Sequence, residues 1–130
     1  MKYLLSIYMD EGIPAGRSPE EAQKIMAAWD AYTAEVRDAG VHLGGEGLQP
    51  TSTATTVRLQ GTERSITDGP FAETKEQLGG FYLLECKHLD EAIAWAERIP
   101  MQQGSVEVRP VMDYEAVGSQ VHTNEAEARR

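Results

Sequence analysis

Cysteine is almost missing from this chain: Cys86 is the only one in 130 residues. A lone thiol makes neither a disulfide framework nor a thiolate zinc cluster, and it fits a reducing, cytoplasmic setting. Basic residues are also scarce, 12 against 21 acidic ones, and the formal net charge is −9. No Lys/Arg cluster offsets that excess, so nucleic acid phosphates repel the molecule, as do anionic membrane surfaces. Long apolar runs are missing too. The longest cover residues 3–9 and 79–84, far short of the roughly 18–20 residues of a membrane span. Asp10 and Glu11 close the first run too soon for a signal peptide.

Site motifs are equally thin. No Gly-x-Gly-x-x-Gly follows a strand pattern, and Gly44-Gly45-Glu46-Gly47 lacks the Lys and Ser or Thr of a phosphate loop. The histidines and the cysteine have no zinc spacing, and no Asp/Asn ladder suggests calcium. No Gly-x-Ser-x-Gly elbow is present. The expectation is a protein without metal, nucleotide or other cofactor.

What is there suffices for one domain. The length and an apolar share of 41% support a core without staples. Residues 2–9 form an apolar run without helical spacing and read as a strand buried on both faces. Residues 10–17, with two Gly and one Pro, read as a loop. Ser18, Pro19 and Glu21 make a helix start with a capping box. Ala22, Ile25, Trp29, Tyr32 and Val36 then recur every three or four residues, up to a stop at Gly40. Residues 41–51 read as a short strand or an irregular turn. Residues 53–59 read as a β-branched strand, Gly61-Thr62 as a turn and residues 64–67 as the returning strand. Asp68-Gly69-Pro70 breaks the chain, and the polar residues 71–78 read as a helical turn or lid. Residues 79–86 form a second doubly buried strand. His88 caps a helix that carries Ala92, Ile93, Ala96 and Ile99 and ends at Pro100. Residues 105–112 alternate as the last strand. From residue 115 to 130 the chain is polar and reads as a tail, flexible or packed on a partner.

This order is the βαββαβ pattern of a ferredoxin-like α+β domain. Two helices cover only one face of such a sheet, yet the first strand and the 79–86 strand are apolar on both faces. A bare apolar face of that size marks an interface. A second copy packed face to face removes it, which predicts a homodimer with a two-fold axis.

The run Asp68-Gly69-Pro70-Phe71-Ala72-Glu73-Thr74-Lys75-Glu76, followed by Gly79-Gly80-Phe81-Tyr82, resembles the DGPF branch of the YCII-related family. Supporting matches are Met1-Lys2-Tyr3 with Tyr8, Gly40-Val41, Asp90-Glu91-Ala92, Pro100 and Glu107-Val108-Arg109-Pro110. The resemblance covers residues 1–114 and implies a dimeric α+β barrel. More distant YCII-like proteins include enzymes with a His–Asp pair, for example in removing chloride from chlorinated hydroxyquinols. The His of that pair lies near the first helix, whereas residues 19–39 here contain none. Members of the DGPF branch often accompany extracytoplasmic-function sigma factors in bacterial genomes, which implies a regulatory association.

Each candidate site residue has two readings. Asp68 is either a general base at a strand end or a turn residue accepting backbone N–H bonds. Gly69 supplies an unusual φ, Pro70 fixes the next one, and Phe71 pins the loop to the core. Lys75 holds an anionic ligand with Glu76 beside it, or both are solvated surface charges. Glu107 and Arg109, two apart on a strand, share one face, with Val106 and Val108 on the other. They either line a ligand pocket or pair across a dimer. His42 follows Gly40-Val41 at a strand start and is an acid–base candidate or a hydrogen-bonding residue. His88 reads as a cap, and His122 lies in the tail.

Three functions remain open on the sequence. The first is a dimer with a pocket for a small organic ligand, with cofactor-free acid–base chemistry if it is an enzyme. The second is a non-enzymatic accessory or sensor whose acidic surface meets a basic partner such as a sigma factor. The third is purely structural, the charges holding two subunits together.

Overall fold

The computed structural model describes residues 1–12 and 18–115. Residues 13–17, within the expected loop, lie outside the described residues, as do residues 116–130 with the expected tail and His122. In chain order the elements are β1 (Lys2–Met9), α1 (Pro19–Asp38), β2 (His42–Gly47), β3 (Thr55–Gln60), β4 (Glu63–Asp68), β5 (Gln77–Glu85), α2 (Leu89–Glu97) and β6 (Ser105–Pro110). A single 3₁₀ turn, Thr51–Thr53, follows β2.

The main sheet has the order β2-β5-β1-β6, and all its neighbours are antiparallel. This is the ferredoxin-like α+β arrangement. Strands β3 and β4 do not join it. They pair only with each other, as a separate hairpin inserted between β2 and β5.

Local chemistry explains both helices. The Ser18 hydroxyl accepts from the Glu21 backbone N–H at 3.2 Å, and Pro19 occupies the first turn. His88 does the same for α2, its Nδ1 accepting from the Glu91 N–H at 3.2 Å. The second helix ends at Glu97, earlier than its apolar spacing suggests. Ile99 lies beyond it but is still buried. Arg98, at that end, pairs with Glu35 of α1 and stacks 4.7 Å from the Trp95 ring, tying the two helices together.

Both helices pack on one face of the sheet. There Tyr3, Leu5 and Ile7 of β1 and Tyr82 and Leu84 of β5 meet Tyr32 and Val36 of α1 and Ala92 of α2. Leu5, Leu84 and Val36 have no exposure at all. Val106 and Val108 join this side, as their alternation in β6 requires. The other face carries Leu4, Ser6 and Tyr8 beside Phe81 and Leu83, with Glu107 and Arg109 next to them. Neither described helix covers it.

Two expectations for the 68–78 segment fail. Residues 71–76 form bends with no helical turn, and β5 begins at Gln77 because that residue pairs with Met9. The Gln77 side chain also accepts from the Glu11 N–H at 2.8 Å, which secures the strand's first rung. Phe71 does not pin the loop to the core: it is 72% exposed. The loop is held by polar bonds instead. The Gly69 N–H donates to the Ala54 carbonyl at 2.7 Å, Thr56 Oγ1 donates to the Gly69 carbonyl at 2.7 Å, and Arg58 donates to the Phe71 carbonyl at 3.0 Å. Gly69 itself has φ +101°, the unusual conformation expected of it.

Candidate functional site

A cavity of about 330 Å³ opens on the helix side of the sheet, between α1 and the β2 edge. One wall is a stripe of α1 in which Trp29, Thr33 and Arg37 follow each other at intervals of four. The floor is the β2–β5 ladder, where Gly45 pairs with Tyr82 and Gly47 with Gly80. Glycine here leaves the sheet surface bare and makes the hollow. A Cβ on Gly47 would meet nothing within 4 Å. Ile7 and Met9 of β1 close the apolar end.

The polar groups are few and placed. The Tyr82 and Thr33 hydroxyls share a hydrogen bond of 2.7 Å across the hollow. Tyr82 is wedged edge-on between Tyr32 and the His42 ring, with centroids 5.3 Å and 6.3 Å away. His42 is half-buried, and Arg37 stands exposed at the rim. Among the described residues neither the His42 ring nor the Arg37 guanidinium has a hydrogen-bond or ion-pair partner. Glu46 and Phe81 border the cavity through their backbone. They pair with each other in the row that faces the opposite side of the sheet. Arg37 and His42 are therefore the basic side chains that line the hollow.

Of the sequence candidates, only His42 lies at this cavity. Asp68 is exposed at the end of β4, and among the described residues no hydrogen bond or ion pair reaches its carboxylate, so the turn is held by the Gly69 N–H and by the Thr56 and Arg58 side chains instead. Lys75 is exposed in the same loop. Glu76 accepts from the Ser105 hydroxyl at 2.7 Å, a bond that crosses β1. Glu107 and Arg109 pair within their own strand at 2.8 Å, half and mostly exposed respectively, on the open face. The structure thus separates the candidates into three places: His42 under α1, Glu76 with Glu107 and Arg109 along the open face, and Asp68 with Lys75 in the hairpin loop.

Sequence reasoning missed Arg37 and Thr33; Trp29 and Tyr82, expected with the core or interface, do pack in the core and line the hollow as well. The available signal was the four-residue spacing of Trp29, Thr33 and Arg37, which adjoins the apolar stripe of α1. A second hollow of about 380 Å³, between α2 and β6, has Glu97 as its single charged side chain among mainly apolar residues.

The groups with shifted titration lie in the core. Burial pushes the Tyr32 hydroxyl well above its usual range, with Tyr82 adding to the effect, and that hydroxyl donates to the Trp95 carbonyl at 2.8 Å. Burial, and then the nearby Glu91 carboxylate, push the Cys86 thiol up to about 11. No group of three or more His, Cys, Asp or Glu among the described residues is placed to hold a metal. No described helix is long and apolar enough to cross a membrane.

A ferredoxin-like α+β sheet with one open face and one hollowed, helix-covered face defines a class of small α+β domains. Within that class the chain belongs to the YCII-related domain family, whose model matches residues 1–115. It is also similar to an uncharacterized protein of Rhizobium meliloti (strain 1021), 40% identical over 117 residues, which cover 88% of this chain and 94% of that protein.

Proposed function

We propose that this chain is a small-molecule-binding protein of the DGPF branch that works as a face-to-face homodimer in the cytoplasm, with the cavity under α1 as its site. One observation carries the reading: a hollow of about 330 Å³ on which an imidazole, a guanidinium and two hydroxyls converge. Its volume sits at the lower end of the ~300–1,000 Å³ range of organic-ligand sites. His42 is the acid–base group of the site, near enough to a bound ligand to move a proton without metal or cofactor. Its partner is the ligand itself, since no carboxylate side chain of the described residues addresses the hollow. The run from Asp68 to Glu76 supports the branch. The uncovered apolar face, with Leu4, Tyr8, Phe81 and Leu83, supports the dimer. In that dimer Glu76, Glu107 and Arg109 lie on the joined face, where they fix the register or line a chamber. Lys75 and Asp68 stay exposed in the hairpin loop.

The test is a fragment screen of small organic molecules by amide chemical-shift perturbation. Binders should perturb His42, Trp29 and Gly47 together, and Gly47→Val should abolish those shifts by filling the hollow. A screen in which no compound perturbs these positions refutes the site. Binders that undergo proton transfer or elimination lose that turnover in His42→Gln while keeping their binding.

The net charge of −9 favours a second reading, an accessory that meets a basic partner such as a sigma factor. Capture of that factor at low salt and its release at high salt is the expected outcome. Equal recovery by an uncharged control surface rejects it.

A further inference from the structure

We propose that the ligand of the cavity is a small organic anion, a carboxylate on a flat one-ring body, with its charge at Arg37 and its ring between Trp29 and the glycine floor. The inference rests on the site assigned above and names its ligand class.

Charge is the first argument. The molecule carries −9 overall, yet the lining of the hollow holds a guanidinium and an imidazole against one acidic residue, Glu46. Glu46, the acidic residue of the rim, belongs to the strand row that faces away. Arg37 is not spent on an ion pair within the described residues, whereas Arg98 and Arg109 are. A guanidinium left open beside a cavity is a fork of N–H donors suited to a carboxylate.

Shape is the second argument. Gly45, Gly47 and Gly80 line the floor without side chains, and beside Gly47 the space is open. The facing wall is Trp29, and Ile7 and Met9 close the far end. A flat, mostly apolar body fills such a space, while branched or highly hydroxylated ligands would leave apolar surface and find few polar partners. The Thr33–Tyr82 hydroxyl pair offers one further polar contact on the ligand's edge.

The experiment uses the full chain and three matched probes, benzoate, benzamide and benzylamine, titrated by calorimetry or amide shifts. Benzoate should bind about tenfold more tightly than benzamide, the scale of one charge-assisted contact at a partly solvated site. Benzylamine should bind more weakly than both. Arg37→Gln, a change at an exposed position, should bring benzoate down to the benzamide level without moving Tm. Gly47→Val should remove all binding. Equal affinity for benzoate and benzamide overturns the anion assignment and leaves the site standing. Benzoate binding that survives Gly47→Val overturns both. Failure of all three probes at millimolar concentration, with fragments of other chemistry still perturbing His42 and Trp29, overturns this inference alone.

Discussion

His42 reaches the cavity because of one extra residue. In β2 the pairing with β5 slips between His42 and Gly44, so Leu43 has no partner of its own. Strict alternation back from Gly45 would place His42 on the open face, but the bulge turns it to the helix side. Such a slip has no signature in the composition of residues 41–47, and the sequence left that segment between strand and turn. Gly104 shows the reverse case. Its φ is +135°, and a Cβ there would fall 2.5 Å from the Tyr8 carbonyl oxygen. Gly104→Ala should destabilise the fold by more than about 1 kcal/mol, read as a lower urea midpoint at unchanged slope. The buried Cys86 thiol makes another testable point. It should resist thiol reagents at neutral pH in the native state and react fully once unfolded. Its folded value, about 11, lies above the ordinary 9.0, so the neutral thiol is the form the fold favours. That contribution is intact below pH 9 and is lost as pH rises through 11, with Tyr32 acting in the same direction. Urea midpoints should fall across that window, and Cys86→Ala should flatten part of the fall.

Among the elements, α1 was the most legible. Ser18, Pro19 and the stripe from Ala22 to Val36 contain its start, its face and its length, because capping and 3.6-residue periodicity act within the helix itself. Strands β1 and β5 were legible for a related reason: doubly apolar runs are rare outside buried strands. The hairpin β3–β4 was legible as two strands and a turn but not as a separate sheet. Its pattern of β-branched residues fits any antiparallel neighbour, and whether the pair joins the main sheet depends on contacts far away in the chain. Standing apart, it leaves Ile66 74% exposed. Two-stranded hairpins are marginal on their own, so amide hydrogen exchange should be fastest in β3 and β4 and slowest in β1 and β5, where each strand has neighbours on both sides. Equal protection across all six strands would mean that the hairpin is covered in solution.

At the scale of the whole molecule the decisive feature is the sheet's uncovered face. Leu4 and Leu83 are cross-strand partners on it, half-buried within one subunit. In dilute solution light scattering should report twice 14.3 kDa. Leu83→Glu, which places a charge on that face and touches no core position, should halve the mass while leaving the far-ultraviolet circular dichroism unchanged. A native chain that stays monomeric at micromolar concentration removes the dimer, and with it any role of Glu107 and Arg109 across an interface.

The amino-acid order alone determined the helices, their caps, the buried strands and the sheet's two-sided character, because these follow from interactions among residues close in sequence. It also determined the family through the run from Asp68 to Glu76. Folding decided which side each candidate occupies. The cavity arises only where α1 crosses a glycine-lined ladder, and those partners lie dozens of residues apart. Bulges at Leu43 and at Gly79 set which side chains line it. Arg37 and His42 become neighbours of one hollow through that packing, while Asp68 and Lys75, prominent in the motif, end up in solvent around an independent hairpin.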